Sequence, residues 1–281
     1  MRVLVTGAGG MLGQAVVRQL SGHEVVALPR AELDIADPMS IGRLGVGEFG
    51  KFDWVVNCAA YTKVDLAETE REAAYDANAT GVAYLGQACH DISARLIHVS
   101  TDFVFDGTAE RPYVETDKTS PLGVYGASKL AGEERLRGLP NVWILRTSWL
   151  FGPDGPCFPR TMLRAHRAGK QLRVVADQRG NPTYTVDLAR SILQIVENDP
   201  FPDLYHVAGP ETMTWHEFAG LTLAAAGYDV KIEPINTDDW PTPARRPAFS
   251  ALDSGKALAA GIGPLRGLEA TLPEFLQLLP D

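Results

Sequence analysis

The fold is decided by the stretch Arg2-Val-Leu-Val-Thr-Gly-Ala-Gly-Gly-Met-Leu-Gly13. Residues 2–6 form a short aliphatic and β-branched run, which is typical of a buried strand. Gly7, Gly10 and Gly13 follow at the spacing G-x-x-G-x-x-G, and apolar residues at helical spacing continue to Leu20. A glycine-rich turn between a strand and a helix lets the backbone approach a pyrophosphate, which the helix N-terminus attracts. The stretch therefore predicts a dinucleotide-binding unit, with an ordinary glycine-rich turn as the alternative.

Further along the chain, strand-like runs alternate with helical patterns. The later runs are Glu24–Leu28, Trp54–Asn57, Arg95–Val99, Asn141–Leu145 and Leu204–Ala208. This alternation predicts an α/β fold with a doubly wound parallel sheet of the Rossmann type. We expect a dinucleotide-binding domain over residues 1–148, to which the chain returns near residues 183–208. A smaller C-terminal substrate lobe is expected over 149–182 and 209–281.

Composition and charge exclude several classes of protein. The chain has 281 residues, is 45% hydrophobic and carries a net charge of −9, so it can bury a large core but offers no basic field for nucleic acid or an acidic membrane. Cys58, Cys89 and Cys157 are odd in number and widely spaced, which indicates free thiols in a reducing compartment and no metal site. No apolar run reaches the length of a membrane span or a signal peptide core. We expect a soluble cytoplasmic protein.

The end of the second strand bears on cofactor choice. A site that prefers NAD usually places a carboxylate there for the ribose 2′-hydroxyl, but this chain has Pro29-Arg30. An arginine suits a 2′-phosphate, so the sequence favours NADPH and leaves NADH open; the alternative is a solvated surface arginine. Asp34 could accept a hydrogen bond from the adenine amino group or cap the helix that begins near Pro38.

Two later motifs carry the chemistry. In Tyr125-Gly-Ala-Ser-Lys129 the phenol and the ammonium are four residues apart, so both lie on one helical face. Tyrosine has a pKa of about 10, which a nearby lysine cation would lower, and such a tyrosine can exchange a proton with a carbonyl or alcohol oxygen. Ser100-Thr101-Asp102 follows a strand, where a hydroxyl can bind a substrate oxygen or merely form a turn. Many surface helices carry the same Tyr/Lys spacing, so the interpretation depends on the glycine turn upstream.

These motifs together resemble the extended short-chain dehydrogenase/reductase superfamily, through Gly7-x-x-Gly10-x-x-Gly13, Asn57-x-Ala59-Ala60, Ser100-Thr101-Asp102 and Tyr125-x-x-x-Lys129. Within it the chain is similar to the dTDP-4-dehydrorhamnose reductase family. That likeness is carried by Asn57-Cys-Ala-Ala-Tyr-Thr-Lys-Val-Asp65, Ser100-Thr-Asp-Phe-Val-Phe-Asp-Gly107, residues 121–133, Arg146-Thr-Ser-Trp149 and Asp177-Gln-Arg-Gly-Asn-Pro-Thr183. The resemblance implies NADPH-dependent reduction of the C4 ketone of a nucleotide-linked deoxy sugar, namely dTDP-4-dehydro-6-deoxy-L-mannose to dTDP-L-rhamnose.

The resemblance, with the residue chemistry above, implies three sets of site residues. The catalytic set is Thr101, Tyr125 and Lys129. The cofactor-binding set is Gly7, Gly10, Met11, Leu12, Gly13, Arg30, Asp34, Ile35, Ala59, Ala60 and Tyr61, together with Tyr125 and Lys129. The substrate-binding set is Thr101, Asp102, Trp149 and Arg246, and Arg246 or its neighbour Arg245 would meet the diphosphate unless the pair is simply solvated. In this scheme Tyr125 protonates the carbonyl oxygen, Lys129 holds the nicotinamide ribose and lowers the pKa of Tyr125, and Thr101 polarises the carbonyl.

Two positions depart from the family pattern and two other functions stay open. Gly123 stands where the family usually has asparagine, and Phe249 stands in a polar position before Ser250; both bear on the identity of the sugar. A sugar-nucleotide epimerase on the same fold is one alternative, whereas a dehydratase is disfavoured because Phe103 replaces an acid. The other is a non-catalytic regulatory subunit of the methionine adenosyltransferase type. A homodimer is an expectation, and the sequence leaves open whether a divalent ion such as Mg²⁺ bridges subunits.

Overall fold

The computed structural model describes residues 1–279. Its strands are β1 (Arg2–Thr6), β2 (Glu24–Leu28), β3 (Trp54–Asn57), β4 (Arg95–Thr101), β5 (Val142–Thr147), β6 (Leu150–Phe151), β7 (Arg173–Val175), β8 (Arg179–Gly180), β9 (Thr183–Tyr184), β10 (Leu204–His206), β11 (Met213–Thr214) and β12 (Glu233–Ile235). Its helices are α1 (Met11–Gln19), α2 (Pro38–Gly45), α3 (Arg71–Tyr75), α4 (Gly81–Asp91), α5 (Val124–Leu136), α6 (Phe158–Arg167), α7 (Thr185–Asn198), α8 (Trp215–Ala225), α9 (Gly255–Ala259) and α10 (Leu268–Gln277). Within residues 1–279, no helix has the length and apolar composition that crossing a membrane requires.

The central sheet is parallel, with the strand order β2-β1-β3-β4-β5-β10. The chain runs from β1 outward to β2 and then returns to the other side of β1 to form β3. The connections after β1 and β3 therefore diverge, and a crevice opens outside the carboxyl ends of these two strands. This arrangement confirms the predicted doubly wound α/β fold.

Helices cover both faces of the sheet, because successive side chains of a strand point to opposite faces. Val3 and Val5 of β1 belong to one core, where α1 and α7 contribute Leu12, Val16, Leu188 and Ile192. Leu4 belongs to the opposite core, where α2 and α4 contribute Ile41, Leu44, Val82 and Leu85. The central strands β1, β3, β4 and β5 are therefore buried on both faces, whereas the edge strand β2 is only partly buried.

A third apolar core lies in the second half of the chain. Phe151, Leu163, Phe218, Leu272 and Phe275 are buried together. They come from β6, α6, α8 and α10, and β7 pairs with β12 beside them. These residues fall within the segments expected to form a substrate lobe; the two-domain boundaries themselves stay a prediction.

The helical region over residues 71–91 is interrupted. It comprises α3, a wider turn over Asp76–Thr80, and α4. Asn78 within the wider turn is fully buried. Its Nδ2 donates to the Tyr61 carbonyl and to the Ser128 Oγ, at 3.0 Å each, and its Oδ1 accepts from the Tyr61 N–H at 2.9 Å. Asn78 is thus a satisfied buried amide that ties α5 to the segment after β3.

Candidate functional site

A cleft of about 1060 Å³ opens at the carboxyl ends of β1, β3 and β4. Every site residue predicted from the sequence contributes to its lining: Gly7, Gly10, Met11, Leu12, Gly13, Arg30, Asp34, Ile35, Ala59, Ala60, Tyr61, Thr101, Asp102, Tyr125, Lys129, Trp149 and Arg246. The cleft therefore joins the glycine turn, the Tyr125/Lys129 helix and the C-terminal segment in one site.

The glycine turn is built for close backbone approach. Gly7 has φ +63°, and a Cβ there would lie 2.6 Å from the backbone nitrogen of Ala59. A Cβ on Gly13 would lie 2.8 Å from the Ala8 Cα and collide with the Gly7 carbonyl oxygen. Gly10 is the N-cap of α1 and supplies no side-chain cap, so the first N–H groups of the helix are free to bind an anion. These features fit a dinucleotide pyrophosphate.

Arg30 and Asp34 form an ion pair at the rim of the cleft. Arg30 Nε donates to Asp34 Oδ2 at 2.9 Å, and the Arg30 side chain is 81% exposed. Its other guanidinium N–H groups meet no acceptor within residues 1–279. The idea that Asp34 caps the next helix is wrong, because the N-cap of α2 is Asp37, which accepts from the Met39 N–H.

Lys129 is buried at the floor of the cleft. Its Nζ donates to the Val99 carbonyl at 2.7 Å and lies 3.4 Å from His98 Nε2. Burial lowers the pKa of Lys129 to about 8, although the charge of Glu133 and, once it ionises, that of Cys58 act to raise it. Cys58 is a free thiol, as predicted for all three cysteines, and burial raises its pKa to about 12. It is therefore an unreactive neighbour of Lys129.

Tyr125 departs from the expectation drawn from its sequence spacing. Burial raises the pKa of Tyr125 to about 12; hydrogen bonding with Thr101 lowers it and the charge of Asp102 raises it. The prediction that Lys129 lowers the pKa of Tyr125 is wrong for this structure, because removal of the phenol from water is the largest effect. A phenol in this environment stays protonated at neutral pH and can serve as a proton donor.

The hydroxyl of Thr101 is already engaged. Thr101 Oγ1 donates to Asp102 Oδ1 at 3.0 Å and accepts from the Phe103 N–H at 3.2 Å. Burial raises the pKa of Asp102 to about 6, because the hydrogen bond from the Thr101 hydroxyl offsets only part of the cost of burying a charge. Asp102 Oδ2 and Thr147 Oγ1, both lining the cleft, have no hydrogen-bond partner within residues 1–279. Two unpartnered buried oxygens fit a polar ligand that carries hydroxyl groups.

An aromatic pair closes one side of the cleft. The rings of Trp149 and Trp215 stack with centroids 3.5 Å apart and an interplanar angle of 6°, and both line the cleft. Trp149 holds φ +46°, an uncommon conformation for a large residue. The sequence reasoning missed Trp215, because no binding-site motif surrounds this position. Thr214 and Glu217 beside it form the capping box that begins α8.

Arg246 reaches the cleft but is not free. Its Nη1 and Nη2 donate to the two carboxylate oxygens of Asp65 at 3.0 and 2.9 Å, and Nη1 also donates to Thr242 and to the Ala244 carbonyl. Its neighbour Arg245 is exposed and does not line the cleft. Of the two arginines that the sequence offered for the diphosphate, only Arg246 lines the cleft.

Comparison with known proteins agrees with this geometry. Residues 1–280 match the family described as "RmlD substrate binding domain". The chain is 40% identical over 280 residues to the dTDP-4-dehydrorhamnose reductase of Mycolicibacterium smegmatis, covering 97% of this chain and 84% of that protein. It is 38% identical over 283 residues to the dTDP-4-keto-6-deoxy-D-glucose reductase of Streptomyces niveus, covering 99% and 97%. The structure is similar, with a TM-score of 0.93 and 34% identity over 98% of both chains, to the dTDP-4-dehydrorhamnose reductase of Bacillus anthracis in complex with NADP. The chain therefore belongs to the dTDP-4-dehydrorhamnose reductase family of extended short-chain dehydrogenases/reductases.

Proposed function

We propose that this protein uses NADPH to reduce the C4 ketone of dTDP-4-dehydro-6-deoxy-L-mannose, which yields dTDP-L-rhamnose. The observation that carries the proposal is that Thr101, Tyr125 and Lys129 line the same cleft as the glycine turn. The names of the relatives support the substrate class, and the NADP complex of the Bacillus anthracis enzyme supports the cofactor.

Each part of the cofactor has a set of residues that would hold it. When bound, NADPH supplies the hydride. The backbone of Gly10, Met11 and Leu12 would hold its pyrophosphate at the start of α1, with Gly7 and Gly13 leaving room. Arg30 would meet the 2′-phosphate, Asp34 and Ile35 would flank the adenine, and residues 59–61 would line the nicotinamide side.

Tyr125 would give its proton to the carbonyl oxygen as negative charge develops there. A donor whose pKa is about 12 is well suited to an oxygen that is becoming an alkoxide, since proton transfer then occurs late and needs no phenolate in the resting enzyme. Lys129 would hold the nicotinamide ribose through its ammonium. Thr101 would turn its hydroxyl from Asp102 to the substrate carbonyl, which lowers the barrier by stabilising the developing charge.

The substrate would lie between the aromatic pair and the C-terminal segment. Asp102 Oδ2 is a buried acceptor without a partner in residues 1–279, and it would accept from a sugar hydroxyl. Trp149 offers a flat face next to the same cleft. Arg246 would bind the diphosphate after releasing Asp65.

The function is tested by mixing the protein with dTDP-4-dehydro-6-deoxy-L-mannose and NADPH or NADH, following cofactor absorbance and identifying the sugar. A parallel reaction with dTDP-4-keto-6-deoxy-D-glucose is needed, because the Streptomyces niveus relative is named for that substrate. Stoichiometric NADPH oxidation with formation of dTDP-L-rhamnose is the expected result. Sugar conversion without net oxidation would indicate the epimerase instead, and a stoichiometric protein partner without any turnover would indicate the regulatory subunit.

The assignment of the proton donor has its own test. Tyr125→Phe should lower kcat by about 10²–10⁴ while NADPH binding is kept, because only the transferable proton is lost. Tyr84→Phe is the matched control, since Tyr84 is an exposed tyrosine outside the cleft. Near-normal turnover of Tyr125→Phe would refute this role.

Three expectations from the sequence stay predictions. A homodimer would be tested by sedimentation, and a cytoplasmic location by fractionation of cells. Within residues 1–279, no three histidine, cysteine, aspartate or glutamate side chains form a group that could hold a metal ion. Activity after exhaustive chelation would test whether a divalent ion is needed.

A further inference from the structure

A row of buried polar side chains crosses the central sheet beneath the cleft. Thr6 of β1 pairs in register with Asn57 of β3, and Asn57 pairs in register with His98 of β4. All three are at most 1% exposed. The row ends at Lys129, whose Nζ lies 3.4 Å from His98 Nε2. His98 was not among the residues that the sequence pointed to, because it lies inside an apolar strand.

The row fixes which nitrogen of His98 carries the proton. Asn57 Oδ1 accepts from Thr6 Oγ1 at 2.6 Å and from the Ala59 N–H at 3.1 Å, so the amide group is held in one orientation. Asn57 Nδ2 therefore faces His98 Nδ1, at 2.9 Å, and must donate to it. A neutral imidazole has one acceptor and one donor nitrogen. Because Nδ1 accepts, the proton of His98 is on Nε2 and points at Lys129.

The position of the His98 proton determines which hydrogen bonds Lys129 can donate. An ammonium group has three donors and no acceptor, so it cannot donate to an Nε2 that already carries hydrogen. One proton goes to the Val99 carbonyl at 2.7 Å, and Nζ has no other acceptor at hydrogen-bond distance within residues 1–279. We propose that His98 is a positioning residue, which presents an N–H to Lys129 and so reserves the remaining ammonium protons for the cofactor in the cleft. The inference rests on the proposed function only through the cofactor role of Lys129.

The electrostatic surroundings agree with a neutral His98. Burial lowers the pKa of His98 well below its usual value, and the charge of Lys129 lowers it further. The titratable groups that act on Lys129 are Cys58, which follows β3, and Glu133 on α5. Glu133 is itself bound to Arg146, with 2.6 Å between Nη2 and Oε2. His98 is therefore the neighbour whose hydrogen-bond polarity decides where the Lys129 protons go.

The tautomer can be measured directly in the unmodified protein. In protein labelled with ¹⁵N in histidine, with and without NADPH, the ring of His98 should show an unprotonated Nδ1 and a protonated Nε2 at neutral pH. His98→Asn identifies that signal among the six histidines by its loss. A protonated Nδ1, or a doubly protonated ring, at His98 would overturn the proposal.

A second experiment reverses the direction of the hydrogen bonds that join Asn57, His98 and Lys129. Asn57→Asp keeps the oxygen that accepts from Thr6 and Ala59, but its second oxygen cannot donate and would draw the His98 proton to Nδ1. Nε2 would then accept a proton from Lys129. We expect the dissociation constant of NADPH at neutral pH to rise several-fold, and the pH at which binding weakens on the alkaline side to rise by about one unit. NADPH fluorescence titration needs no sugar substrate, so failure of the substrate assignment would not affect this readout.

The control separates hydrogen-bond polarity from the added negative charge. His98→Asn keeps an acceptor for Asn57 Nδ2 but is too short to reach Lys129. In the His98→Asn background, Asn57→Asp should leave the alkaline shift of NADPH binding unchanged, because the route through the imidazole is gone. A shift of equal size in both backgrounds would overturn the proposal, since the new carboxylate would then act on Lys129 directly.

Discussion

At the scale of single residues, burial shifts the pKa values of Tyr125 and Lys129 in opposite directions. Burial disfavours the charged form of each group, so the pKa of Tyr125 rises to about 12 and that of Lys129 falls to about 8. Both side chains therefore carry a proton at neutral pH. The sequence spacing correctly placed them on one face, but it could not reveal the burial that reverses the expected effect on Tyr125.

These shifts predict the pH dependence of the reaction. Lys129 is charged below its pKa of about 8 and loses its ammonium charge above it, whereas Tyr125 stays protonated. The rate of ketone reduction should therefore fall as the pH rises through about 8, and Lys129 should be the cause. The measurement is kcat/KM for NADPH on both sides of this pH. A profile that is still flat about one unit above it would contradict the assignment.

Arg30 is the residue on which the choice between NADPH and NADH is expected to depend. Its guanidinium is exposed beside the cleft and has spare donors within residues 1–279. Arg30→Ala should raise the KM for NADPH about tenfold, the loss of roughly one charge-assisted hydrogen bond, and should leave the KM for NADH almost unchanged.

Arg111→Ala is the matched control for this change, because Arg111 also pairs with an aspartate at the surface but does not line the cleft. It should leave both KM values as they are. An equal loss for both cofactors in Arg30→Ala would remove Arg30 from the 2′-phosphate site.

At the scale of elements, the glycine turn is the part of the site that the sequence predicted best. Its spacing is local, and the strand before it and the helix after it have their own periodicity. The wider turn at Asp76–Thr80 and the stacking of Trp149 on Trp215 could not be predicted in this way, since both depend on contacts between distant parts of the chain. The ion pair between Arg246 and Asp65 could not be predicted either, because the two residues are far apart in the sequence.

Gly13 and Gly42 provide a contrast between two helical glycines. Gly13→Ala should lower the free energy of unfolding by about 1–3 kcal/mol and weaken NADPH binding, because its Cβ would press on the Ala8 backbone. Gly42 of α2 has open space where a Cβ would lie, so Gly42→Ala should stabilise the protein by about 0.5–1 kcal/mol. Urea denaturation and NADPH titration measure both effects. Equal behaviour of the two variants would contradict the close backbone approach at the turn.

At the scale of the whole molecule, a charged cluster joins the end of the chain to the core. Asp187 of α7 is 2% exposed and accepts from both the backbone N–H and the guanidinium of Arg266. Arg266 also donates to Glu274 of α10 at 2.6 Å. The helix that packs against α1 is thereby tied to the C-terminal helix, which belongs to the third core.

Removing Arg266 should therefore cost more than removing an ordinary surface arginine. Arg266→Ala leaves the buried Asp187 carboxylate with the backbone N–H of residue 266 and with Arg190, at 3.3 Å. The bidentate guanidinium partner is lost, so the free energy of unfolding should fall by about 2 kcal/mol. Arg173→Ala breaks an exposed pair with Glu233 and should change it by no more than about 0.5 kcal/mol. Chemical denaturation compares the two variants, and similar losses would show that the cluster does not hold the C-terminal helix in place.

The amide of Asn78 has a mechanical consequence for the site. By bonding to the Tyr61 backbone on one side and to Ser128 of α5 on the other, it clamps the segment after β3, which lines the cleft, to the helix that carries Tyr125 and Lys129. We therefore expect thermal fluctuations to displace this segment and the helix together. In the proposed complex with NADPH, this coupling would keep the distance between the hydride donor and the proton donor constant while the rest of the molecule moves.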